Sequence, residues 1–276
     1  MGGVLLMAWV YGFAGSVIIA GAAYWKKSLS KSGVLAAVLL GTTMYAIGSL
    51  AWFGTLIAFF ISSSVLSKLK HARKAAAESG YAKGGRRDAG QVAANGGVGL
   101  LLCIGNAIWP EALWWYVYMG VMATVNADTW ATEIGGMSRA IPRSITSGKR
   151  VTAGTSGGIT GLGLLASLAG GAFIGFIGGL LLQAGETTEV NNAIVTLVLL
   201  GAVSGLAGSL IDSWLGATLQ VMYRCQVCGK TIEKQLHCDQ KAKQISGLRG
   251  MSNDMVNAGS SVIGGVICLV LSMLPL

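Results

Sequence analysis

The chain has 276 residues, of which 53% are hydrophobic and only 11% are charged, and its 20 Lys and Arg against 11 Asp and Glu give a formal charge of +9. Soluble domains carry roughly 25% charged residues, so this composition excludes an ordinary soluble domain and indicates a polytopic membrane protein. The basic residues are confined to certain loops, as membrane topology requires, and we therefore expect no nucleic-acid partner.

The predicted fold class is all-α, with about eight transmembrane helices in one bundle that forms a single domain, residues 1–276. A helix needs about 20 residues to cross the apolar core of a bilayer. The 42 glycines suit close packing of such helices in lipid. The candidate spans are Val4–Tyr24, Ser32–Ile47, Leu50–Leu66, Val92–Ile108, Leu113–Ile134, Ser156–Leu182, Ala193–Leu219 and Asp254–Leu274.

All 20 Lys and Arg fall in alternate connections between these spans, whereas the connection after the sixth span carries Glu186 and Glu189. Under the positive-inside rule the basic connections are cytoplasmic and both termini face the other side. The absence of an N-terminal extension favours a plasma or bacterial inner membrane over an organellar one. The basic loops are residues 67–91, 138–155 and 220–252, together with a short loop that carries Lys26, Lys27 and Lys31.

The stretch Asn126–Gly135, at the inner end of the fifth span, places Asp128 and Glu133 where a helix should leave the bilayer. Ionisable groups at membrane depth are costly and mark functional sites by default. Asn126, Thr129 and Glu133 share one helical face, whereas Asp128 points almost oppositely. Either the helix breaks near Asn126, or the two carboxylates serve different partners. A purely structural role in interhelical hydrogen bonds is the alternative.

Asp128-Thr-Trp in the fifth span is echoed by Asp212-Ser-Trp in the seventh, and each is followed by a basic loop and a polar helix start. This suggests a duplicated helical hairpin with a shared site. Mg²⁺ in phosphate-binding proteins is held by one or two carboxylates, with waters and substrate phosphates completing its shell. The pattern therefore predicts that Asp128 and Asp212 bind Mg²⁺.

Two basic motifs predict phosphate contacts. Arg86-Arg87-Asp88 precedes the fourth span, and a helix start with guanidinium groups is a ready anion site, although anchoring at the membrane surface explains basic residues there as well. The loop at 146–158 combines Lys149 and Arg150 with Gly154 and Ser156. Its glycines would let backbone approach phosphate, but it does not fit a Walker A motif, and a flexible loop is the alternative.

Ser252-Asn-Asp-Met-Val-Asn257 opens the eighth span. Asn253 and Asn257 lie four positions apart, and Asp254 lies three before Asn257, so these side chains form a polar face directed into the bundle. An N-terminal cap explains part of this pattern, but not Asn257, one turn further in.

The last basic loop contains Cys225-x₂-Cys228 and, after eight residues, His237-Cys238. Four nitrogen and sulfur ligands in a short loop suit structural zinc. The adjacency of His237 and Cys238 is awkward for one tetrahedral site, so redox cysteines or plain thiols remain alternatives.

These segments resemble the transmembrane protein 19-like family, also described as domain of unknown function 92, which includes phytyl-phosphate kinase of the vitamin E pathway. The resemblance covers nearly the whole chain in the family's order and implies a helical bundle that phosphorylates an isoprenyl monophosphate. The segments that carry it are Leu29–Gly33, Lys83–Gln91, Asn126–Gly135, Gly154–Gly158, Asp212–Thr218 and Asn253–Asn257.

Sequence and resemblance together predict a membrane-embedded phosphotransferase, with a nucleoside triphosphate (CTP or ATP) and Mg²⁺ as cofactors, and a membrane lipid or prenyl phosphate as substrate. Asp128, Glu133 and Asp212 are the predicted catalytic residues. Glu133 is expected to orient a metal-bound water or a basic partner. The alternatives are a transporter or flippase for an anionic lipid or metabolite, and a lipid cytidylyltransferase. The predicted substrate-binding residues are Arg86, Arg87, Asp88, Asn126, Thr129, Lys149, Arg150, Gly154, Ser156, Asn253, Asp254 and Asn257.

Overall fold

The computed structural model describes residues 2–69, 73–75, 80–185 and 194–274, and only the backbone of residues 2–5. Lys70, Glu186, Glu189 and the predicted helix start at Ala193 lie outside these ranges. The described chain is mostly helical, which confirms the all-α prediction. Its long helices are α1 Gly2–Trp25, α2 Lys31–Ile47, α3 Leu50–Ser67, α4 Ala89–Ile108, α5 Ala112–Gly135, α6 Gly161–Ala184, α7 Ile194–Thr218 and α8 Asn253–Ser272.

Most predicted boundaries agree with these helices within two residues, and two starts differ more. Helix α4 begins earlier than Val92, because Asp88 and Gln91 form a reciprocal capping box. Helix α6 begins at Gly161 instead of Ser156. The intervening residues belong to a strand and to a turn in which Gly157 has a φ of 75°, a left-handed conformation that cannot continue a helix.

Six of the described helices are long and apolar enough to cross a membrane by length and composition: α1 from Leu6 onward, α3, α4, α6, α7 and α8. Helix α2, with 17 residues, is shorter. Helix α5 has 24 residues, but its C-terminal half carries the polar Asn126–Glu133 stretch. The number of crossings and the orientation of the termini therefore stay predictions.

Helix α5 lies at the centre of the bundle, where it contacts α3, α4, α6, α7 and α8. Its residues Tyr118, Met119 and Met122 are fully buried in the main apolar core. Helices α6 and α7 pack backbone to backbone, since a Cβ atom on Gly175 would overlap the carbonyl oxygen of Leu197. Only small residues permit two helices to approach so closely.

Short strands order two of the basic loops. Strand β1 (Arg143–Ser144) pairs antiparallel with β2 (Gly158–Ile159). The other loop forms what we call the cysteine ribbon, residues 222–246. In it β3 (Met222–Arg224) lies between β4 (Thr231–Ile232) and β7 (Lys243–Ser246), and β5 (Leu236–His237) pairs with β6 (Gln240–Lys241).

Candidate functional site

A cavity of about 860 Å³ lies where the polar ends of α5, α7 and α8 meet the loops. Its walls include the first residues of α8, the segment before α4 and the loop between β1 and β2. Segments far apart in the sequence therefore share one polar chamber. Most of the predicted site residues line it: Arg87, Asp128, Thr129, Glu133, Arg150, Gly154, Ser156, Asp212, Asn253, Asp254 and Asn257.

Two residues predicted to bind phosphate, Arg86 and Lys149, are not among the residues that line the cavity. The Arg86 Nε donates to the carbonyl oxygen of Leu29 at 2.9 Å, and its guanidinium lies 5.1 Å from the centre of the Tyr24 ring. Lys149 is exposed in the loop between β1 and β2. Of the predicted arginines, the structure brings Arg87 and Arg150 to the cavity.

Asn126 and Asp88 also lie outside the cavity lining. The fully buried Asn126 braces three helices, because its Oδ1 accepts from Ser62 at 2.9 Å and its Nδ2 donates to the carbonyl oxygen of Gly170 at 2.7 Å. Asp88 caps α4 and pairs with Lys83 at 3.0 Å. Both positions fit structural roles rather than the predicted substrate contacts.

Helix α5 continues without a break through Asn126–Gly135, so Asp128 and Glu133 point to different partners. Glu133 forms an ion pair with the buried Lys74 and accepts a hydrogen bond from Ser67. The Asp128 carboxylate lies beside the hydroxyl of Ser209 on α7. Glu133 is therefore engaged with a basic partner, one of the two roles predicted for it.

Asp128 and Asp212 both line the cavity, and the negative charge of Asp212 acts on Asp128. Asp212 is buried, and its Oδ2 accepts a hydrogen bond from the Ser260 hydroxyl at 2.8 Å. With the Asn257 amide oriented to satisfy its neighbours, its nitrogen donates to the same oxygen at 3.1 Å. Helices α5 and α7 thus each supply one carboxylate of the pair, and α8 supplies two hydrogen-bond donors to Asp212.

Neither Asp128 nor Asp212 forms an ion pair with a described lysine or arginine, although Lys74 and Lys83 pair with other carboxylates nearby. The two carboxylates and the serine hydroxyls beside them offer oxygen atoms as metal ligands. A hard divalent cation such as Mg²⁺ prefers oxygen ligands. Its positive charge would relieve the repulsion between the two carboxylates. The residues present therefore fit the predicted magnesium.

Lys83 joins the start of α4 to the start of α8. Its Nζ lies 2.5 Å from Asp254 and 3.0 Å from Asp88. Partial burial lowers the pKa of Lys83, but the two carboxylates outweigh that effect and raise it above its ordinary value. The bridge fixes the first turn of α8 against the segment that carries Arg87.

Arg87 is nearly buried, and its position is set by its backbone. Its N–H donates to the carbonyl oxygen of Ser28 and its carbonyl oxygen accepts from the N–H of Ser30, both at 2.9 Å. A Cβ atom on Gly33 would overlap that carbonyl oxygen. The guanidinium donates to Ser64 at 3.0 Å and lines the cavity. The Leu29–Gly33 segment therefore serves the site by positioning Arg87.

The loop between β1 and β2 forms another part of the wall and contributes Arg150, Gly154 and Ser156 to the lining of the cavity. It is fixed against α7, since Ser156 donates to Gln220 at 3.2 Å and a Cβ atom on Gly157 would overlap Ala217. The loop thus combines a cation with glycine backbone, as a phosphate-binding loop requires.

The four predicted zinc ligands lie together in the cysteine ribbon. One ligand atom each from Cys225, Cys228, His237 and Cys238 falls within 4.8 Å of the others. The cluster is separate from the residues that line the cavity.

A family model described as integral membrane protein DUF92 matches residues 12–265. The chain belongs to the DUF92 family. This confirms the resemblance inferred from the sequence and establishes an integral membrane protein. No solved structure matches the chain.

Relatives of this DUF92 protein occur in plants and archaea. Protein PGR of Arabidopsis thaliana is 34% identical over 275 residues, which cover 94% of each chain. An uncharacterized membrane protein of Methanocaldococcus jannaschii is 31% identical over 71% of this chain and 77% of its own. Protein VTE6, chloroplastic, of Arabidopsis thaliana is 24% identical over 92% of this chain and 68% of its own.

Several residues that shape the DUF92 site were not predicted from the sequence. Ser209 lies one helical turn before Asp212, so the polar face of α7 could have revealed it. Lys83 stands within the Lys83–Gln91 segment that carries the resemblance, but its role depends on contacts with α8. The role of Lys74 could not be predicted from the sequence, because its charge was the only indication and its pairing with Glu133 depends on the fold.

Proposed function

We propose that this DUF92 protein is a membrane-embedded kinase that transfers a phosphoryl group from CTP or ATP to an isoprenyl, phytyl-like monophosphate. The observation that supports it is the Asp128–Asp212 pair, which lacks a basic partner among the described residues and shares a cavity with Arg87 and Arg150. The chain resembles a family that includes phytyl-phosphate kinase, and this resemblance supports the choice of acceptor.

Asp128 and Asp212 would hold Mg²⁺, with Ser209, Ser260 and Asn257 orienting their carboxylates. The metal would neutralise charge on the phosphates of the nucleotide. Because Glu133 is committed to Lys74, we assign it a positioning role in the wall of the cavity rather than a ligand role.

In the proposed reaction an oxygen of the acceptor monophosphate attacks the γ-phosphorus of the nucleotide. A new P–O bond forms, the bond from the γ-phosphorus to the β,γ-bridging oxygen breaks, and the nucleoside diphosphate leaves with that bond's electron pair. A monophosphate is already anionic at neutral pH and needs no general base. Arg87 and Arg150 would act by positioning and charge stabilisation, the main sources of phosphoryl-transfer catalysis.

An apolar pocket adjoins the polar cavity and supports a lipid acceptor. It has a volume of about 60 Å³ and is lined by side chains such as Leu29, Ile57 and Phe60. The pocket and the cavity share Arg87, Gln91 and Asn95. The acceptor's first isoprene carbons would lie in this pocket, with the phosphate at Arg87.

The decisive experiment incubates the purified protein with γ-labelled CTP or ATP, Mg²⁺ and phytyl monophosphate. We expect labelled phytyl diphosphate, and no product from Asp128→Asn. Release of pyrophosphate with a nucleotidyl-lipid product would instead identify a cytidylyltransferase. Substrate uptake in proteoliposomes without any phosphorylated product would identify a transporter, and either result would overturn the kinase.

A further inference from the structure

The cysteine ribbon holds a cluster that the proposed phosphotransfer does not use. The Nδ1 of His237 lies 3.2 Å from the Sγ of Cys238 and 3.5 Å from that of Cys228, and all four ligand atoms fall within 4.8 Å of one another. In a tetrahedral zinc site with bonds of about 2.0–2.3 Å, ligand atoms are roughly 3.3–3.8 Å apart. The cluster therefore has nearly the dimensions of a zinc site.

The backbone on both sides of the cluster is shaped to present these side chains. After Cys225 the chain turns back sharply, with the Gly229 N–H donating to the Cys225 carbonyl oxygen at 3.0 Å and Gly229 at a φ of 71°. Between β5 and β6, Cys238 and Asp239 adopt φ values of 50° and 58°. This left-handed turn, uncommon for residues other than glycine, brings the side chains of the adjacent His237 and Cys238 together.

We propose that Cys225, Cys228, His237 and Cys238 bind one structural Zn²⁺ and that the zinc-bound ribbon holds one wall of the cavity in place. Each cysteine would bind as a thiolate and release its proton to solvent, and His237 would bind through a neutral ring nitrogen. No electron transfer is involved. Four protein ligands complete a tetrahedral shell and leave no open position, which is typical of structural rather than catalytic zinc.

Glu233 connects the ribbon to the cavity. Its N–H donates to the carbonyl oxygen of Gly80 at 3.0 Å, and its carboxylate accepts from the Ala82 N–H and from Gln220, both at 2.9 Å. Ala82 precedes Lys83, whose Nζ reaches Asp254 on α8. The zinc would thus order the segment 80–83. The ordering of this segment matters for the cavity of the proposed function and rests on that function, whereas the zinc site does not depend on it.

The metal content of the full chain, purified in detergent from zinc-supplemented cells, tests the site directly. We expect one zinc per chain by mass spectrometry and loss of most of it in Cys228→Ser. The matched control, Cys103→Ala in the apolar core, should retain the metal. If the wild-type protein contains no zinc and takes up neither Zn²⁺ nor Co²⁺ when either is added, the site does not exist. This readout is independent of kinase activity.

Limited trypsin digestion tests the link to the cavity. Removal of zinc with a chelator should accelerate cleavage after Lys83 several-fold and leave cleavage after Lys149, in the loop held by β1 and β2, unchanged. Glu233→Gln should accelerate cleavage after Lys83 while the protein keeps its zinc. Equal cleavage after Lys83 with and without zinc would overturn the link and leave the zinc site itself intact.

Discussion

Asp128 and Glu133 lie on one unbroken helix, yet their surroundings give them different chemistry. Glu133 is paired with the buried Lys74, whereas Asp128 has a serine hydroxyl and a second carboxylate as neighbours. A buried carboxylate with a cationic partner is part of the scaffold. A carboxylate beside another carboxylate requires an external cation or a proton, so Asp128 and Asp212 are the residues at which chemistry is expected.

Replacement of Asp128 or Asp212 by Asn should abolish phosphoryl transfer without unfolding the protein. Each change removes charge repulsion and preserves side-chain shape, so the Tm should stay equal or rise. Product formation and thermal unfolding in detergent measure the two effects. The control is Glu111→Gln, an exposed carboxylate at the opposite end of α5, which should leave both unchanged. Full activity in Asp128→Asn would contradict the metal assignment.

Replacement of Lys74 by Met should destabilise the protein by about 3–5 kcal/mol, because it leaves the Glu133 charge buried and unpaired. The double variant Lys74→Met/Glu133→Leu removes both charges and should recover much of that loss. The unfolding temperatures of the wild type and of the two variants measure these changes in stability. If the double variant is no more stable than the single one, the pair does not act as a unit.

The sequence predicted the Asp128–Asp212 pair, because both residues stand in similar tripeptides near the ends of apolar spans. It did not predict that Arg86 would lie on Tyr24 while Arg87 lines the cavity. The two side chains are adjacent in the chain and chemically identical. Their directions are decided by the pairing of this segment with Leu29, which is a long-range contact.

At the level of helices, the close packing of α6 against α7 depends on glycine. Gly171 and Gly175 of α6 face Gly201 and Leu197 of α7, and a Cβ atom on either α6 glycine would overlap a carbonyl oxygen of α7. Apolar runs predicted where these helices lie, since a membrane span has a minimum length. They did not predict where α6 begins, because Gly158 pairs with the distant Ser144.

Gly175→Ala should lower the Tm clearly, because the added methyl meets backbone that cannot move without separating the two helices. Gly97→Ala is the matched control. It lies within α4, where an added Cβ atom would meet nothing within 4 Å. Alanine is favoured over glycine inside a helix by roughly 0.5–1 kcal/mol, so the control should be neutral or stabilising. Equal unfolding temperatures would show that α6 and α7 tolerate separation.

At the scale of the whole molecule, most of the predicted site residues lie around one polar cavity of an otherwise largely apolar bundle. The cavity is built from α5, α7, α8 and three connecting segments, and the loop that carries Arg150 lies on the same side as the ribbon. The alternation of basic and non-basic connections predicted that these loops share a side. It could not predict their strands, which form from short segments without a strong periodicity.

The predicted orientation places this end in the cytoplasm and both termini on the other side. In right-side-out vesicles, trypsin should leave the loop at Lys149 and Arg150 intact, and in inside-out vesicles it should cut there. The reverse pattern would invert the topology. Detergent-solubilised protein, in which both faces are accessible, provides the reference for complete cleavage.

The small apolar pocket beside Arg87 has a kinetic consequence. If the acceptor reaches the cavity through that pocket, its effective concentration is its mole fraction in the surrounding lipid and not its amount per volume of solution. Addition of inert phospholipid to proteoliposomes at constant total acceptor should then lower the initial rate in proportion. The rate should be restored when acceptor is added to the original mole fraction. The protein would in that case respond to membrane composition as directly as to the supply of nucleotide.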